Sequence, residues 1–390
     1  MRFASAATLV QDLDRETIEL CGQTEAILGD NRPDLVLAFF TPHFEDEADR
    51  IAGVFTRRYP TAVFAACSAE GVLGADAEHE RVPAMALWLA RMPGARLHAL
   101  RAGTEDLSSP QAAHKWIGKL GPKPAEAPTF LLFADPFSVP INAVLQLFDV
   151  TYPQRPVLGG MVSGCEGPGQ AVLILDDQVY REGAVGIAVS GVDVRTVVSQ
   201  GCRPLGERFV ITQCQRNVIQ QLGGKPALQQ LRDLLRGLAG EDLMLAQQSL
   251  FVGLVINEYK ERFKRGDFVI RHLLAGDPQS GAIVVGDEVR VGMSMQFHVR
   301  DERSADEDLR ELLVAARERG APAGALLFTC NGRGTRMWSE PNHDVAVLRD
   351  ICGPVPAAGF FAAGELGPID GRNLIHGHTA SIGLFYPRLE

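Results

Sequence analysis

Three segments of the chain repeat the same order of apolar and polar positions. Each opens with a short apolar run that ends in a turn, passes through an interval long enough for a helix, and reaches a second run of small apolar residues. A glycine-rich loop with a glutamate follows each second run, at Glu70, Glu166 and Glu365. The pattern predicts three strand-helix-strand units, whose paired runs are residues 35–40 with 63–66, 130–133 with 156–160, and 325–328 with 357–361.

The first run of each segment is apolar on both faces, and the intervals have helical patterning. Runs without alternation are typical of central strands that are covered on both sides. Residues 45–59 place Ala48, Ile51 and Phe55 on one stripe, and residues 304–320 have a similar apolar stripe among charges. We therefore predict an α/β protein with mixed β-sheets covered by helices and internal strand-helix-strand repeats.

The stretches between the repeats have the turn residues and apolar runs of antiparallel strands. Residues 172–175 and 183–189 flank the turn signal Asp176-Asp177, which predicts a hairpin. Residues 282–285 are predicted to pair with the alternating run 291–299.

The length of 390 residues exceeds what one hydrophobic core usually organises. The segment from Gly223 to Ala227 interrupts strand-like and helical patterns, as domain boundaries do. We place a boundary close to it, which predicts two related halves, residues 1–217 and 218–390.

Composition and charge exclude several classes of protein. The net charge of -10 opposes binding to nucleic acid, because phosphate backbones need a basic face. The basic run from Lys260 to Arg265 is short and is interpreted as a solvated loop or helix end. No apolar run has the length of a membrane span or of a secretory signal. Seven scattered cysteines without a Cys-x-x-Cys pair favour reduced thiols, so we predict a cytoplasmic location.

Two groups of motifs resemble the two parts of one known family. The first group is residues 33–39, residues 67–71 and the small-residue glycine hinges after Pro156. The second group is residues 324–334, 359–368 and 378–380. Together they resemble the FIST N and FIST C domains. The combination of Cys-x-Gly-Arg-Gly with Gly-Phe-x-x-x-Gly-Glu-x-Gly-Pro, in this order, is its most specific part.

The resemblance implies a function as well as a fold. FIST domains are proposed to be sensory inputs for small ligands, with amino acids as favoured candidates, and often feed kinases, cyclases or ubiquitin adaptors. The sequence ends at Glu390 with no such output segment. The resemblance therefore predicts a module that binds a small molecule and signals through a separate partner, without a cofactor.

The segment Cys330-Asn331-Gly332-Arg333-Gly334 follows a predicted buried strand. Its glycines allow backbone amides to turn around an anion, and Arg333 offers planar donors for a carboxylate or phosphate. The alternative is a tight turn in which Arg333 pairs with a nearby acid. We treat Cys330, Asn331, Arg333 and Gly334 as candidate ligand-binding residues.

Glu365 lies in a loop whose glycines permit close approach of a ligand. A carboxylate there receives an ammonium group while Arg333 takes a carboxylate, so the pair fits a zwitterion or another small anionic metabolite. The alternative is that Glu365 caps a helix or pairs with Arg333. His378 and Thr379 are further candidates at the mouth of the last strand. Glu70 and Glu166, in the related loops, are weaker ones.

A second class of function remains open beside the binding module, which we favour. Cys330 next to an arginine and loop amides fits a nucleophilic thiol, with His376 or His378 as the base of a cysteine-dependent hydrolase or transferase. No hydrolase signature accompanies it. The same two histidines lack a third ligand for a metal, so no metal site is predicted.

Overall fold

The computed structural model describes residues 1–387 and separates the chain into two compact units. The first unit contains Met1–Val198, Leu309–Ile375 and the stretch that starts at Thr379. The second unit contains Ser199–Asp308 and His376–His378. The boundary predicted between residues 217 and 218 lies within the second unit, at a turn between two paired strands.

The elements follow the chain in three stretches. Up to Gln200 they are β1 (Arg2–Leu9), α1 (Leu13–Leu28), β2 (Leu35–Phe40), α2 (Ala48–Arg58), β3 (Val63–Ser68), β4 (Gly71–Leu73), β5 (Glu78–Glu80), β6 (Ala84–Arg91), β7 (Arg96–Ala102), α3 (Pro110–Ile117), β8 (Thr129–Ala134), α4 (Ile141–Thr151), β9 (Val157–Met161), β10 (Leu173–Leu175), β11 (Gln178–Tyr180), β12 (Ala184–Ser190) and β13 (Asp193–Gln200). The middle stretch has β14 (Cys202–Gln215), β15 (Val218–Leu222), β16 (Lys225–Pro226), α5 (Ala227–Gly237), α6 (Gly240–Gln248), β17 (Leu250–Val255), β18 (Phe268–Gly276), β19 (Ile283–Val285) and β20 (Ser294–Arg300). The last stretch has α7 (Glu302–Arg317), β21 (Gly324–Cys330), α8 (His343–Cys352), β22 (Ala357–Ala362), β23 (Glu365–Ile369), β24 (Arg372–His376) and β25 (Thr379–Tyr386).

The three predicted strand-helix-strand units are present, and in each the two strands pair in parallel. They are β2-α2-β3, β8-α4-β9 and β21-α8-β22. The apolar first strands are fully buried because each is paired on both edges inside its sheet. The predicted α/β class with mixed sheets, helices and internal repeats is therefore confirmed. The helix predicted over residues 45–59 begins later, at Ala48, after a 3₁₀ turn from Pro42 to Glu47.

The first unit consists of three sheets with the same strand order. In the order of their equivalent positions they are β1-β6-β2-β3-β10-β11, β7-β12-β8-β9-β23-β24 and β13-β25-β21-β22-β4-β5. The two strands that follow a parallel pair never join their own sheet. After β3 the chain enters the third sheet, after β9 it enters the first, and after β22 it enters the second. The three sheets are thus joined by a cyclic exchange of strands.

The core of the first unit lies where the three first strands meet. Phe39, Phe133 and Phe328 occupy equivalent positions, and their ring centroids form a triangle with sides of 5.6, 6.0 and 6.5 Å. All three side chains are fully buried. Since each phenylalanine is one or two residues from the end of its strand, the carboxyl ends of β2, β8 and β21 converge on this cluster.

The second unit contains a sheet that closes on itself. Its order is β14-β20-β17-β18-β19-β15-β16, and β14 also pairs with β15. Two expected strand pairings are wrong, one in the second unit and one in the first. Residues 283–285 pair with β18 and β15 rather than with 291–299, and β10 forms its hairpin with β11 rather than with 183–189. Within residues 1–387 no helix combines the length and apolar character needed to cross a bilayer.

Candidate functional site

The strand exchange places one residue per repeat at an equivalent position beside the phenylalanine cluster. These residues are Val72, Leu173 and Glu365. Each pairs across its sheet with a residue of the second strand, and that residue in turn pairs with a core phenylalanine of the first strand. The strand register therefore corrects the equivalence inferred from the loops, in which Glu70 and Glu166 corresponded to Glu365. Two repeats place an apolar side chain where the third places a carboxyl group. The fold itself does not need a carboxyl group here.

Glu365 is fully buried in the first unit. Its Oε2 accepts hydrogen bonds from the backbone N–H of Thr379 at 3.1 Å and from Thr379 Oγ1 at 2.5 Å. Its Oε1 has no hydrogen-bond partner. Burial raises the pKa of Glu365 to about 8, although hydrogen bonds from Thr379 and from the Cys330 thiol oppose the rise. The side chain is therefore mostly a neutral acid at pH 7.

The raised pKa of Glu365 predicts a specific dependence of stability on pH. The folded state holds a proton that the unfolded chain releases near its ordinary pKa of 4.5, so stability is fully present below that pH and falls as pH rises towards 8. The slope from this one group is about 1.4 kcal/mol per pH unit. Denaturant unfolding of wild type and Glu365→Gln at pH 5, 6, 7 and 8 should give diverging curves, with the variant less sensitive to pH. Parallel curves would contradict the assignment.

Arg333 is fully buried and paired with Asp344. Its Nε and Nη2 donate to the two carboxylate oxygens of Asp344 at 2.9 and 2.7 Å. Thr329 Oγ1 also donates to Asp344, at 3.0 Å. Burial alone would raise the pKa of Asp344, but the charges of Arg333 and His343 outweigh it and hold the pKa well below its usual range. Arg333 Nη1 has no hydrogen-bond partner, so one edge of the guanidinium is unused.

Asp344 is a site residue that the sequence interpretation missed. For the alternative in which Arg333 pairs with a nearby acid, the sequence suggested Glu365 as that acid. In the structure the bidentate partner of Arg333 is Asp344. A signal was present, because Asp344 stands at helical spacing from Val347 and Leu348 on the buried side of α8. A carboxylate on an apolar stripe needs a partner, and the nearest arginine in the preceding loop is a natural choice.

The β4–β5 hairpin holds the loop that follows Cys330 and the start of α8. Glu70 pairs with Arg336 and Glu80 accepts from the Thr335 N–H at 2.7 Å. Glu78 accepts from the N–H at position 345 at 3.0 Å. Burial and the negative charge of Asp344 raise the pKa of Glu78. Three carboxyl groups of one repeat thus fix the candidate loop of another, and Glu70 acts as a loop anchor.

Three further predicted residues lie at the end of β21 and in the loop that follows it. Cys330 is buried, and its sulfur accepts from the Gly332 N–H at 3.4 Å. Asn331 donates to Glu70 at 3.4 Å. Gly334 has a φ of +57°, and a side chain there would overlap the Glu80 carboxylate.

Two further predicted residues are His378 and Glu166. His378 belongs to the second unit, where its ring lies 4.3 Å from Phe251 and 5.3 Å from His272, measured between centroids. Glu166 is exposed. Within residues 1–387 no group of three or more histidine, cysteine or acidic side chains is arranged to hold a metal ion.

Comparison with known proteins places the chain in a family. The FIST N domain matches residues 34–225 and the FIST C domain matches residues 227–368. The chain belongs to the FIST family, a family of sensory, ligand-binding domains.

Relatives of the same length are uncharacterized. One protein of Mycobacterium tuberculosis strain H37Rv is 38% identical over 391 residues, which cover 99% of this chain and 100% of the relative. One protein of Mycobacterium bovis is 38% identical over 396 residues, which cover all of both chains. A cyanuric acid hydrolase structure from A. caulinodans aligns over the full length of both chains with 9% identity and a TM-score of 0.34.

Proposed function

We propose that this protein is a cytoplasmic sensory module that binds an amino acid, or another small zwitterionic or anionic metabolite, beside Glu365 and Arg333. It passes the signal to a separate protein. The observation that carries the proposal is the buried carboxyl group of Glu365, with one unpartnered oxygen, at a position where the other repeats have valine and leucine. A polar group buried in an apolar core, where the equivalent positions of the same fold have apolar residues, is typical of a binding site.

The chemistry of the two side chains fits a zwitterion. An ammonium group beside Glu365 favours the ionised carboxylate, because the new charge offsets the desolvation that keeps the acid neutral. Arg333 Nη1 supplies a donor for the ligand's carboxylate, while Asp344 holds the guanidinium plane in place. Arg333 therefore offers one edge to the ligand, and not the two-donor fork that the sequence suggested.

A ligand reaches Glu365 and Arg333 only when the structure around them opens, because both side chains are fully buried. We infer that the outer part of the loop after Cys330, at Thr335 and Arg336, makes this movement. Opening breaks the exposed contacts of Arg336 with Glu70 and of Thr335 with Glu80. Exposed contacts of this kind contribute little to stability, which suits a loop that opens.

Ligand binding should release a proton, and the release should depend on Glu365. We would screen amino acids and organic acids by thermal shift and then titrate the best ligand calorimetrically at pH 7 in two buffers with different ionisation enthalpies. Wild type should release close to one proton per ligand, because the neutral acid ionises on contact with ammonium. Glu365→Gln should release none and bind at least about tenfold more weakly, which corresponds to about 1.4 kcal/mol.

The matched control is Glu166→Gln, which makes the same substitution at an exposed position. This variant should bind as wild type does, with the same proton release. Unchanged affinity and unchanged proton release in Glu365→Gln would refute the proposed site.

One observation supports the alternative of a cysteine enzyme. The Cys330 sulfur accepts from the Gly332 N–H, and its thiol is near enough to Glu365 to lower the pKa of that carboxyl group. In that alternative the minor ionised form of Glu365 takes the thiol proton. The thiolate then bonds to an acyl carbon of the ligand while the bond from that carbon to its leaving group breaks, and Glu365 returns the proton to the leaving group. Mass spectrometry of the ligand after incubation separates the two functions. A binding module returns the ligand unchanged with wild type and with Cys330→Ala, whereas an enzyme converts it and loses conversion in the variant.

A further inference from the structure

We propose a second ligand site in the first unit, a cleft of about 550 Å³ that takes a small amphipathic monocarboxylate. The cleft lies between β1, α1, the turn after β4 and the segment that follows α8. Its volume is within the range of about 300–1,000 Å³ that is typical of small-molecule sites. It shares no lining residue with the Glu365 site, and the proposal does not depend on the function proposed for that site.

Small residues create the cleft. β1 contributes Ser5, Ala6 and Ala7 to its wall, so the strand leaves room where larger side chains would fill the space. Gly74 is necessary beside them, because a Cβ atom there would lie 2.6 Å from the Cβ of Ala7. Ile27 on α1 faces the cleft and is 55% exposed, although it is a large apolar side chain. An apolar ligand body would cover it.

The floor and the rim of the cleft supply polar groups that the protein does not use. Ser5 is 6% exposed, and its Oγ has no hydrogen-bond partner. A buried hydroxyl without a partner is uncommon and indicates that another molecule completes its hydrogen bonding. Arg349 lines the cleft near the end of α8, and no acid within residues 1–387 forms an ion pair with it.

These groups define the class of ligand. The alanines, the isoleucine and Val355 with its flanking prolines favour a hydrocarbon body. Arg349 favours a carboxylate, which its planar donors match. Asp76 also lines the cleft and disfavours a second negative charge on the ligand. The combination selects monocarboxylates over dicarboxylates and over amines.

Calorimetric titration with hexanoate, adipate and hexylammonium tests the charge and the shape together. Hexanoate should bind at least about tenfold more tightly than either of the others. Arg349→Gln should weaken hexanoate binding about tenfold, whereas Arg319→Gln, at an exposed arginine that does not line the cleft, should leave it unchanged. Ser5→Ala should weaken binding a few-fold without loss of folding. Equal binding of the three probes would overturn the proposal.

Two substitutions of opposite charge at one exposed position separate an effect on binding from an effect on folding. Both Ile27→Glu and Ile27→Lys lose the apolar contact with the ligand body, but only the glutamate also repels its carboxylate, so Ile27→Glu should bind hexanoate at least about fivefold more weakly than Ile27→Lys. Both variants alter an exposed helix position in the same way apart from charge. The same loss in both, or in neither, would contradict a carboxylate at this rim. Glu365→Gln should leave hexanoate binding unchanged, so that failure of one site is distinguished from failure of the other.

Discussion

Replacing Asp344 with alanine should lower the free energy of unfolding by about 3–5 kcal/mol, because it leaves Arg333 charged and buried without a counterion. Arg333 has no exposed surface, and two of its donors end on the Asp344 carboxylate. Thr329 would lose its acceptor as well. The loss is large because the guanidinium has no route to water in the folded state, and arginine does not deprotonate to escape the penalty.

Denaturant unfolding at constant pH measures this effect. Asp350→Ala is the control, since Asp350 is 65% exposed and its ion pair with Arg310 spans 3.8 Å, so the change should be below about 1 kcal/mol. The double variant Arg333→Met with Asp344→Ala should recover part of the loss, because it removes both charges. A loss below about 1 kcal/mol in Asp344→Ala would mean that Arg333 finds another partner or reaches solvent.

Gly359→Ala should destabilise the protein by at least about 3 kcal/mol, through overlap with the backbone of the neighbouring strand. Gly359 on β22 pairs with Leu327 on β21, and a Cβ atom would overlap the Leu327 carbonyl oxygen. Gly159 holds the equivalent place in the second repeat, where a Cβ atom would overlap the Leu132 carbonyl oxygen. A backbone atom inside a paired strand yields less readily than a side chain does.

Gly22→Ala is the matched control for this substitution. Gly22 lies inside α1, and a Cβ atom there meets nothing within 4 Å. Alanine should stabilise the helix by up to about 1 kcal/mol, so the two identical substitutions should have opposite signs. Unfolding midpoints of the two variants provide the measurement. Gly359→Ala with the stability of wild type would show that β21 and β22 separate without cost.

The repeats were predictable from the sequence, whereas the exchange of strands was not. Long apolar runs with helical intervals carry a local signal, and parallel pairing follows from the strand-helix-strand connection. β4 and β10 have three residues each, which is too short for a period to be recognised. Their partners in β22 and β3 lie more than 100 residues away in sequence. Pairing at that distance depends on the assembled core and not on local preference.

The candidate site was predictable by residue type but not by partner. Arg333 and Glu365 stood out because charged residues close to glycine-rich turns and buried strands need an explanation. The role of Asp344 was not predicted because its partner Arg333 is separated from it in sequence by a loop and a 3₁₀ turn. The three loop glutamates looked equivalent because loop motifs align by glycines, whereas spatial equivalence follows the strand register, which places Val72 and Leu173 opposite the same strand position as Glu365.

The cyclic exchange of strands limits how the first unit can be divided. Each sheet is completed by β4, β10 or β23 from another repeat, and the donations run from first to third, from third to second and from second to first. A single repeat cut from the chain would therefore lack two strands and carry two that have no acceptor. Copies of such a fragment can complete one another's sheets only in a head-to-tail arrangement. In this chain the donation of strands returns to its starting repeat after three steps, so the equivalent ring has three copies. The smallest self-sufficient assembly of one repeat is a cyclic trimer, which this chain contains as a covalently linked equivalent.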